Sequence, residues 1–199
     1  MNRTIKNANV LILAAGISKR MESLKAFLPF DEKNNFFEKI AITYSDWGCN
    51  KMVVVVNQSF LDELLPENNL PSGIEYVINN QPEFERFYSV KLGLQKMDDI
   101  DFCFIQNIDN PFISVEILDS IYRHRSQDAF VIPSFNNRGG HPVLINRSNI
   151  ERIKLFPENN ANLREVLGEM PSLKVEMKDE TVLININNAT EYKKYFSQI

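Results

Sequence analysis

A segment near the start of the chain combines exposed backbone with fixed positive charge. An apolar run ends in the small residues Ala14, Ala15 and Gly16, and the cations Arg20 and Lys25 follow. Small side chains let a ligand approach backbone N–H groups, and such groups beside cations form a cradle for phosphate. Arg20 and Lys25 would then neutralise a triphosphate. The alternative is an ordinary strand–turn–helix junction with two solvated cations, since neither a dinucleotide fingerprint nor a Walker A loop is present.

A carboxylate stands at the end of a second apolar run. Asp109 lies in the sequence NIDNP, directly after the run DFCFIQ. A carboxylate where a buried strand emerges is costly unless it meets a cation. Mg²⁺ prefers one or two carboxylates together with phosphate oxygens. Asp109 is therefore a candidate Mg²⁺ ligand, and the alternative is a turn residue before Asn110 and Pro111.

Both segments follow apolar runs that alternate with helical patterns. Strands are predicted at 9–15, 52–57, 74–79, 101–108, 129–133, 141–146 and 182–187. Helices are predicted at 36–47, 59–65, 86–97, 114–124, 162–168 and 189–196. Ser59, Ser114 and Asn188 are placed as helix N-caps, with Glu191 completing a capping box after Asn188. This alternation is typical of a parallel sheet covered on both faces, in which ligands bind beyond the carboxyl ends of the strands.

The composition narrows the class of protein. With 199 residues, of which 44% are hydrophobic, we expect one domain spanning 1–199 with a sizeable core. A net charge of −4 argues against a general nucleic-acid binder. No apolar run approaches the ~20 residues of a membrane span, and the segment 1–10 lacks the apolar region of a secretory signal. Cys49 and Cys103 have no metal-ligand spacing, so we expect a cytoplasmic protein with core thiols.

The segment from Leu13 to Pro29 resembles the signature of a known family. Its pattern, L-A-A-G-x-S-x-R-M-x-x-x-K-x-x-L-P, is similar to that of the MobA-like nucleotidyltransferases. The resemblance implies a single-domain, three-layer α/β/α fold of the Rossmann-like GT-A type, with a mostly parallel mixed sheet. It also implies Mg²⁺-dependent transfer of a nucleoside monophosphate from a nucleoside triphosphate, with release of pyrophosphate. The nucleotide-binding residues implied here are Leu13, Ala14, Ala15, Gly16, Ser18, Arg20 and Lys25, the last two also being catalytic.

Two further segments resemble parts of related enzymes. Arg86 and Ser89 belong to the pattern R-x-x-S-V-x-x-G-L of the cytidylyltransferases of isoprenoid synthesis, where they lie around the base and ribose of CTP. CTP is therefore favoured, although an amphipathic helix with a solvated Arg86 would show the same pattern. Many relatives carry D-I-D-T-P where this chain has Asn185 and Asn187. Sugar-phosphate uridylyltransferases have G-V-N-N there, which implies that Asn187 is a neutral second metal ligand beside Asp109.

The acceptor side departs further from the relatives. GGHPVLI, at 139–145, resembles the G-H-P-V-L segment of the molybdopterin cytidylyltransferase-like group and implies acceptor contact by His141, the alternative being a structural histidine. Where that group often has G-D-x-G-A-R, this chain has Asn160 within N-N-A-N-L-R and keeps only Arg164. A small phosphorylated acceptor is expected, and its identity stays open.

Other departures leave rival functions open. Glu22 and Ile108 stand where the family usually has glycine. The rivals are a sugar-phosphate nucleotidylyltransferase, a glycosyltransferase on a similar fold, and a non-catalytic nucleotide-binding module with a degenerate site. A glycosyltransferase normally shows D-x-D, which only the triplet IDN approaches here. No nucleic-acid or membrane partner is expected.

Overall fold

The structure is a computed structural model that describes residues 5–16, 24–65, 69–98 and 100–196. Within these ranges, one sheet of eight strands is flanked by seven α-helices. None of the helices in the described ranges has the length and apolar character needed to cross a membrane.

The element bounds are as follows. The strands are β1 (Asn9–Leu13), β2 (Met52–Val56), β3 (Ile74–Ile78), β4 (Phe102–Asn107), β5 (Phe130–Phe135), β6 (Arg138–Gly139), β7 (Val143–Asn146) and β8 (Ser172–Glu176). The helices are α1 (Phe36–Trp47), α2 (Gln58–Glu63), α3 (Glu85–Leu94), α4 (Val115–Arg123), α5 (Arg147–Leu155), α6 (Leu163–Gly168) and α7 (Ala189–Phe196). Short 3₁₀ turns lie at Lys25–Phe27, Pro82–Phe84 and Glu180–Leu183.

The sheet is mixed and mostly parallel, which confirms the predicted fold class. Hydrogen-bonded neighbours follow the path β3-β2-β1-β4-β7-β5, and both β6 and β8 pair with β5. The strands β3, β2, β1 and β4 run parallel, whereas β7 is antiparallel to both β4 and β5. Ser134 pairs with Gly139 of β6 and with Glu176 of β8, so these two strands lie on opposite sides of β5. The carboxyl ends of β1, β2 and β4 therefore meet at one edge of the sheet.

The two faces of the sheet bury separate cores, because side chains alternate along each strand. In β1, Val10 and Ile12 point into the core under α1 and α4, whereas Leu11 and Leu13 point into the core under α3, α5 and α6. Every residue of β1, β2 and β4 is buried, as expected for strands covered on both sides. The result is the predicted three-layer arrangement.

A glycine sets how closely α3 approaches the sheet. A Cβ placed on Gly93 would lie 2.2 Å from Leu11 Cδ1 and 2.8 Å from Val55 Cγ2. A side chain at this position would require Leu11, Val55 or the helix itself to move. Gly93 therefore allows α3 to pack closely against the sheet. This packing determines the position of the first turn of α3, which contains Arg86.

Some predicted elements were wrong or missed. The segment 182–187 is not a strand: the 3₁₀ turn is followed by irregular chain, and its apolar residues Val182 and Ile186 are buried in the core. The strand β8 was missed because only Val175 of its five residues is buried, so it has no continuous apolar run. The helix α5 was missed because few of its residues are apolar, and a capping box of Asn146 and Asn149 starts it.

The N-cap predictions had mixed outcomes. Ser114 caps α4 as predicted, since its side chain accepts a hydrogen bond from the Ile117 N–H. In α2 the cap is Asn57, not Ser59, because Asn57 is the residue that leaves the strand with extended backbone and accepts from the Phe60 N–H.

Candidate functional site

The turn after β1 opens from the interior to the surface. Ala14 and Ala15 are buried, and Gly16 is exposed. The Ala14 N–H continues the sheet by donating to Val55 O at 2.8 Å, so this group is not available to a ligand. Ala15 O accepts from Asn57 Nδ2 at 3.3 Å, which ties the turn to the start of α2. A Cβ on Gly16 would meet no described atom within 4 Å.

The rest of the first motif is only partly described. Leu13 is buried in the sheet and its side chain packs in the core, so any contact with a nucleotide is limited to its backbone. Ser18, Arg20 and Glu22 belong to residues 17–23, which lie outside the described residues. Their predicted contributions stay predictions.

Lys25 brings three predicted site residues together. Its Nζ lies 3.5 Å from Asp109 Oδ2 and donates to Asn187 Oδ1 at 3.4 Å. Lys25 and Asn187 are 162 positions apart in the sequence. The side chains of Lys25 and Asp109 are 16% and 24% exposed, so the charge pair is largely shielded from water. One cation therefore stands between the two oxygens that the sequence proposes as metal ligands.

Asp109 retains an unused oxygen. Its Oδ1 is buried and has no hydrogen-bond partner among the described residues. Burying an unpaired carboxylate oxygen costs free energy, and such an atom is satisfied when a cation binds it. The described residues contain no group of three or more His, Cys, Asp or Glu side chains that would hold a metal alone. A metal here therefore needs oxygens from a bound substrate, a set that Mg²⁺ accepts.

Aromatic packing of α7 holds Asn187 in place. Phe196 stacks on Phe112 with ring centroids 5.4 Å apart and packs on Phe36 at 5.3 Å. Tyr192 Oη donates to Pro29 O at 2.9 Å, which joins α7 to the segment that follows Lys25. The helix that begins just after Asn187 is thereby fixed to the chain on the Lys25 side of the site.

The start of α7 also restrains the Asn187 backbone. Asn188 caps the helix as predicted, because its Oδ1 accepts from the Glu191 N–H at 2.9 Å. Glu191 Oε2 accepts from the Asn187 N–H at 2.6 Å, one residue earlier than in a standard capping box. The side chain of Asn187 is left free of the cap and directs its Oδ1 to Lys25.

Arg86 lies between this site and a neighbouring cavity. Its guanidinium donates to Asn107 Oδ1 at the carboxyl end of β4. The residue as a whole stays exposed, but burial around the guanidinium lowers the pKa of Arg86, and the negative charge of Asp109 acts in the opposite direction. Arg86 is therefore a charged group close to Asp109 and oriented by an asparagine that the sequence reasoning did not identify.

Ser89 lies buried beside Asn79. It is only 5% exposed, and its Oγ accepts a hydrogen bond from Asn79 Nδ2 at 2.9 Å. Its neighbours Val90 and Leu94 are fully buried in the core. Ser89 follows Arg86 by three residues, so the two side chains project from neighbouring positions of α3, with Arg86 exposed and Ser89 buried. The predicted pairing of both residues around a nucleotide stays a prediction.

A cavity of about 600 Å³ lies next to Arg86. Its polar lining includes the two predicted acceptor-binding residues, His141 and Arg164, together with Asn160 and Asn162. The rest of the lining is mainly apolar and includes Phe87, Ile105, Phe130, Ile132, Val143, Leu163 and Leu167. The cavity thus has two cationic side chains, Arg86 and Arg164, and no carboxylate among its described lining residues.

The backbone around His141 is tightly held. The His141–Pro142 peptide is cis, and the His141 N–H donates to Val182 O at 2.9 Å. A Cβ on Gly140 would lie 2.2 Å from Val182 O, so only glycine allows this close approach. Burial, with a smaller effect of the Arg86 charge, lowers the pKa of His141 to about 4. The imidazole is therefore neutral at neutral pH, and its buried Nδ1 has no partner among the described residues.

The protein has an α/β fold with a lysine, a carboxylate and an amide oxygen grouped at the carboxyl edge of its sheet. Residues 10–175 match the MobA-like NTP transferase domain, and the chain belongs to this family. It is a nucleotidyltransferase.

Two relatives agree with this assignment. The chain is 24% identical over 184 residues to the molybdenum cofactor cytidylyltransferase of Escherichia coli, with 92% of each chain covered. It is 25% identical over 194 residues to a probable molybdenum cofactor guanylyltransferase of Clostridium perfringens, again with 92% of each covered.

The structural neighbours share the fold. A homologue of Rv0371c from Mycobacterium sp. strain JC1 superposes with a TM-score of 0.82 at 16% identity, covering 98% of this chain and 97% of that one. Rv0371c of Mycobacterium tuberculosis, solved in complex with manganese, has a TM-score of 0.70 at 13% identity, covering 96% and 99%.

Proposed function

We propose that the chain, as one domain over residues 1–199, transfers a nucleoside monophosphate from a nucleoside triphosphate to a small phosphorylated acceptor. The reaction is Mg²⁺-dependent, CMP is the favoured group, and pyrophosphate is released. The observation that carries the proposal is the position of Lys25 Nζ within 3.5 Å of Asp109 Oδ2 and Asn187 Oδ1. An ammonium group that is proposed to bind phosphate and two hard oxygens that are proposed to bind the metal thus lie together, which supports the proposal.

The residues present fit a divalent cation. The unpartnered Oδ1 of Asp109 and the outward-directed Oδ1 of Asn187 are hard oxygens of the kind that Mg²⁺ prefers. The manganese complex of the relative Rv0371c supports a divalent cation in this fold. When bound, Mg²⁺ supplies charge neutralisation at the α-phosphate and at the acceptor oxygen.

The remaining chemistry is positioning and charge compensation. An acceptor phosphate oxygen forms a bond to the α-phosphorus, and the bond from that phosphorus to the oxygen of the leaving pyrophosphate breaks. Lys25 and Arg20 hold the β- and γ-phosphates and stabilise the charge on the leaving group. The nucleophile is already ionised, so no general base is required, and close positioning of two anions is the main task.

The cavity beside Arg86 is the proposed acceptor site. Arg164 supplies positive charge for a phosphate, neutral His141 supplies a polar contact, and Arg86 lines the same cavity. The preference for CTP is supported by the match around Arg86 and by the cytidylyltransferase relative. It does not rest on Ser89, whose hydroxyl is buried.

Pyrophosphate release tests this proposal. The chain is incubated with CTP, GTP, UTP or ATP, with and without Mg²⁺, and with a panel of phosphorylated acceptors. Release that needs Mg²⁺ and an acceptor, and is fastest with CTP, supports the proposal. Release only with sugar phosphates selects the sugar-phosphate enzyme. Nucleotide binding without release from any acceptor selects the non-catalytic binding module.

A further inference from the structure

Asp109 and Asn187 lie in two segments that are distant in the sequence, and one residue joins those segments. Asn110 Nδ2 donates to Ile184 O and to Asn185 Oδ1, both at 2.7 Å. Asn110 and Asn185 are 75 positions apart. Each bond runs from the residue after Asp109 to the chain that leads into Asn187. The bonds therefore fix the two candidate ligands relative to each other.

The same side chain also reaches the residue that orients Arg86. Asn110 Oδ1 accepts from Asn107 Nδ2 at 3.0 Å, and Asn107 Oδ1 in turn accepts from the Arg86 guanidinium. The amide of Asn107 is thereby held with its oxygen toward Arg86. A single buried asparagine thus links Asp109, the Asn187 segment and Arg86.

Hydrogen bonds to backbone carbonyl groups complete the framework around Asn110. Gln106 Nε2 donates to Asn107 O at 2.8 Å and to Asn110 O at 2.9 Å, and the Ile186 N–H donates to Asp109 O at 2.8 Å. Asn110 is 3% exposed, so its side chain exchanges few of these bonds with water. Only an amide supplies two donated bonds and one accepted bond at this position, because a carboxylate cannot donate and an apolar side chain does neither.

We infer that Asn110 is a positioning residue for nucleotidyl transfer: it sets the separation of Asp109 and Asn187 and, through Asn107, the direction of the Arg86 guanidinium. The inference rests on the proposed function, since it assumes that Asp109 and Asn187 hold a metal. Residues that orient metal ligands change metal affinity by about 10–100-fold when they are removed. Asn110 acts through its neighbours and needs no contact with substrate.

The chain offers a matched control in Asn146. This asparagine is 1% exposed, its Nδ2 donates to Ser126 O and Gln127 O, and its Oδ1 accepts from the Asn149 N–H. It makes the same number of bonds of each kind as Asn110. It pairs with Phe102 at the amino end of β4, the opposite edge of the sheet from the site.

The experiment compares Mn²⁺ binding in Asn110→Ala, Asn146→Ala and the unmodified chain. Mn²⁺ is titrated in the presence of CTP and free Mn²⁺ is followed by electron paramagnetic resonance, while thermal melting is recorded on the same samples. Both variants lose three buried hydrogen bonds, so we expect both melting temperatures to fall. Only Asn110→Ala is expected to weaken Mn²⁺ binding, by about tenfold or more.

A second variant keeps the test decisive if Asn110→Ala does not fold. Asn185→Ala removes one of the two bonds across the segments and leaves the bond to Ile184 O, so we expect a smaller loss of Mn²⁺ affinity in the same direction. Unchanged Mn²⁺ affinity in a folded Asn110→Ala or Asn185→Ala variant overturns the inference, as does an equal loss in Asn146→Ala. If the unmodified chain binds Mn²⁺ but releases no pyrophosphate, the proposed function fails and the binding comparison still decides the role of Asn110.

Discussion

The substitution Lys25→Met separates two effects of the Lys25 side chain, one on metal binding and one on catalysis. In the free protein, the Lys25 ammonium lies between Asp109 Oδ2 and Asn187 Oδ1, at 3.5 Å and 3.4 Å. A divalent cation bound there without nucleotide is repelled by the ammonium and competes with it for the same two oxygens. Methionine keeps the length and apolar stem of the side chain and removes its charge. We therefore expect tighter binding of metal alone and slower catalysis.

The size of the first effect follows from the charges. Two unit charges about 4 Å apart interact by about 1 kcal/mol in water-like surroundings, and a divalent cation doubles this to about 2 kcal/mol, or about 30-fold in affinity. The water-like figure is a lower bound, because the Lys25 and Asp109 side chains are only 16% and 24% exposed. The turnover of the variant is expected to fall by about 10²–10³, the usual loss for a removed transition-state donor.

The assay is a Mn²⁺ titration of Lys25→Met in the absence of nucleotide, at low ionic strength so that screening does not reduce the difference. Lys33→Met is the control. Lys33 is exposed in the turn formed by Asp31, and its substitution by methionine removes the same unit of positive charge. Turnover is measured on the same variants by pyrophosphate release. Unchanged or weaker Mn²⁺ binding by Lys25→Met, or an equal gain in Lys33→Met, would refute the charge argument.

Other substitutions test the remaining residues. Arg20→Ala should lower turnover by about 10²–10³, measured as pyrophosphate release, because it removes a phosphate contact. Asp109→Asn keeps the shape and removes the charge, so the Mg²⁺ concentration for half-maximal turnover should rise strongly while the melting temperature changes little. Asn187→Ala should reduce Mg²⁺-supported turnover, whereas Asn187→Asp should retain it, because an oxygen ligand remains. The pKa of His141 is lowered from 6.5 to about 4, so folding stability should fall as pH drops from 6.5 to about 4, and His141→Gln should lessen that fall.

Each of these expectations has a result that contradicts it. Full activity of a folded Arg20→Ala variant removes Arg20 from the phosphate site, and an unchanged Mg²⁺ titration of Asp109→Asn makes that residue a turn former. Asn187 is exposed, so a large loss of melting temperature in both of its variants would contradict its place outside the core. For His141, the protonation that opposes folding occurs in the unfolded chain, so an identical acid dependence in His141→Gln would refute the assignment.

The sequence alone determined the class of the fold, and it predicted the three residues, Lys25, Asp109 and Asn187, that the structure groups together. Continuous apolar runs encode strands buried on both faces, because each residue of β1, β2 and β4 must leave water on one side or the other. The polar residues that follow these runs must then lie at one edge of the sheet, which is why Lys25 and Asp109 were found as candidates. The segment from Leu13 to Pro29 contains the motif that indicated the family.

The tertiary structure decided which side chains meet. Asn187 reaches Lys25 for two reasons: the chain from Glu180 to Asn188 is hydrogen-bonded to the loop after β4, and aromatic packing holds α7. The local sequence predicts neither contact. The partners of Asn110 and Asn107 are also set by the tertiary structure. From the sequence, these two residues are indicated only as a turn residue and a strand residue. Ser89 shows the converse, since its hydroxyl is buried and accepts a hydrogen bond from Asn79. Local sequence fixes what a residue is able to bond, whereas the packing of distant segments fixes which partner lies within reach.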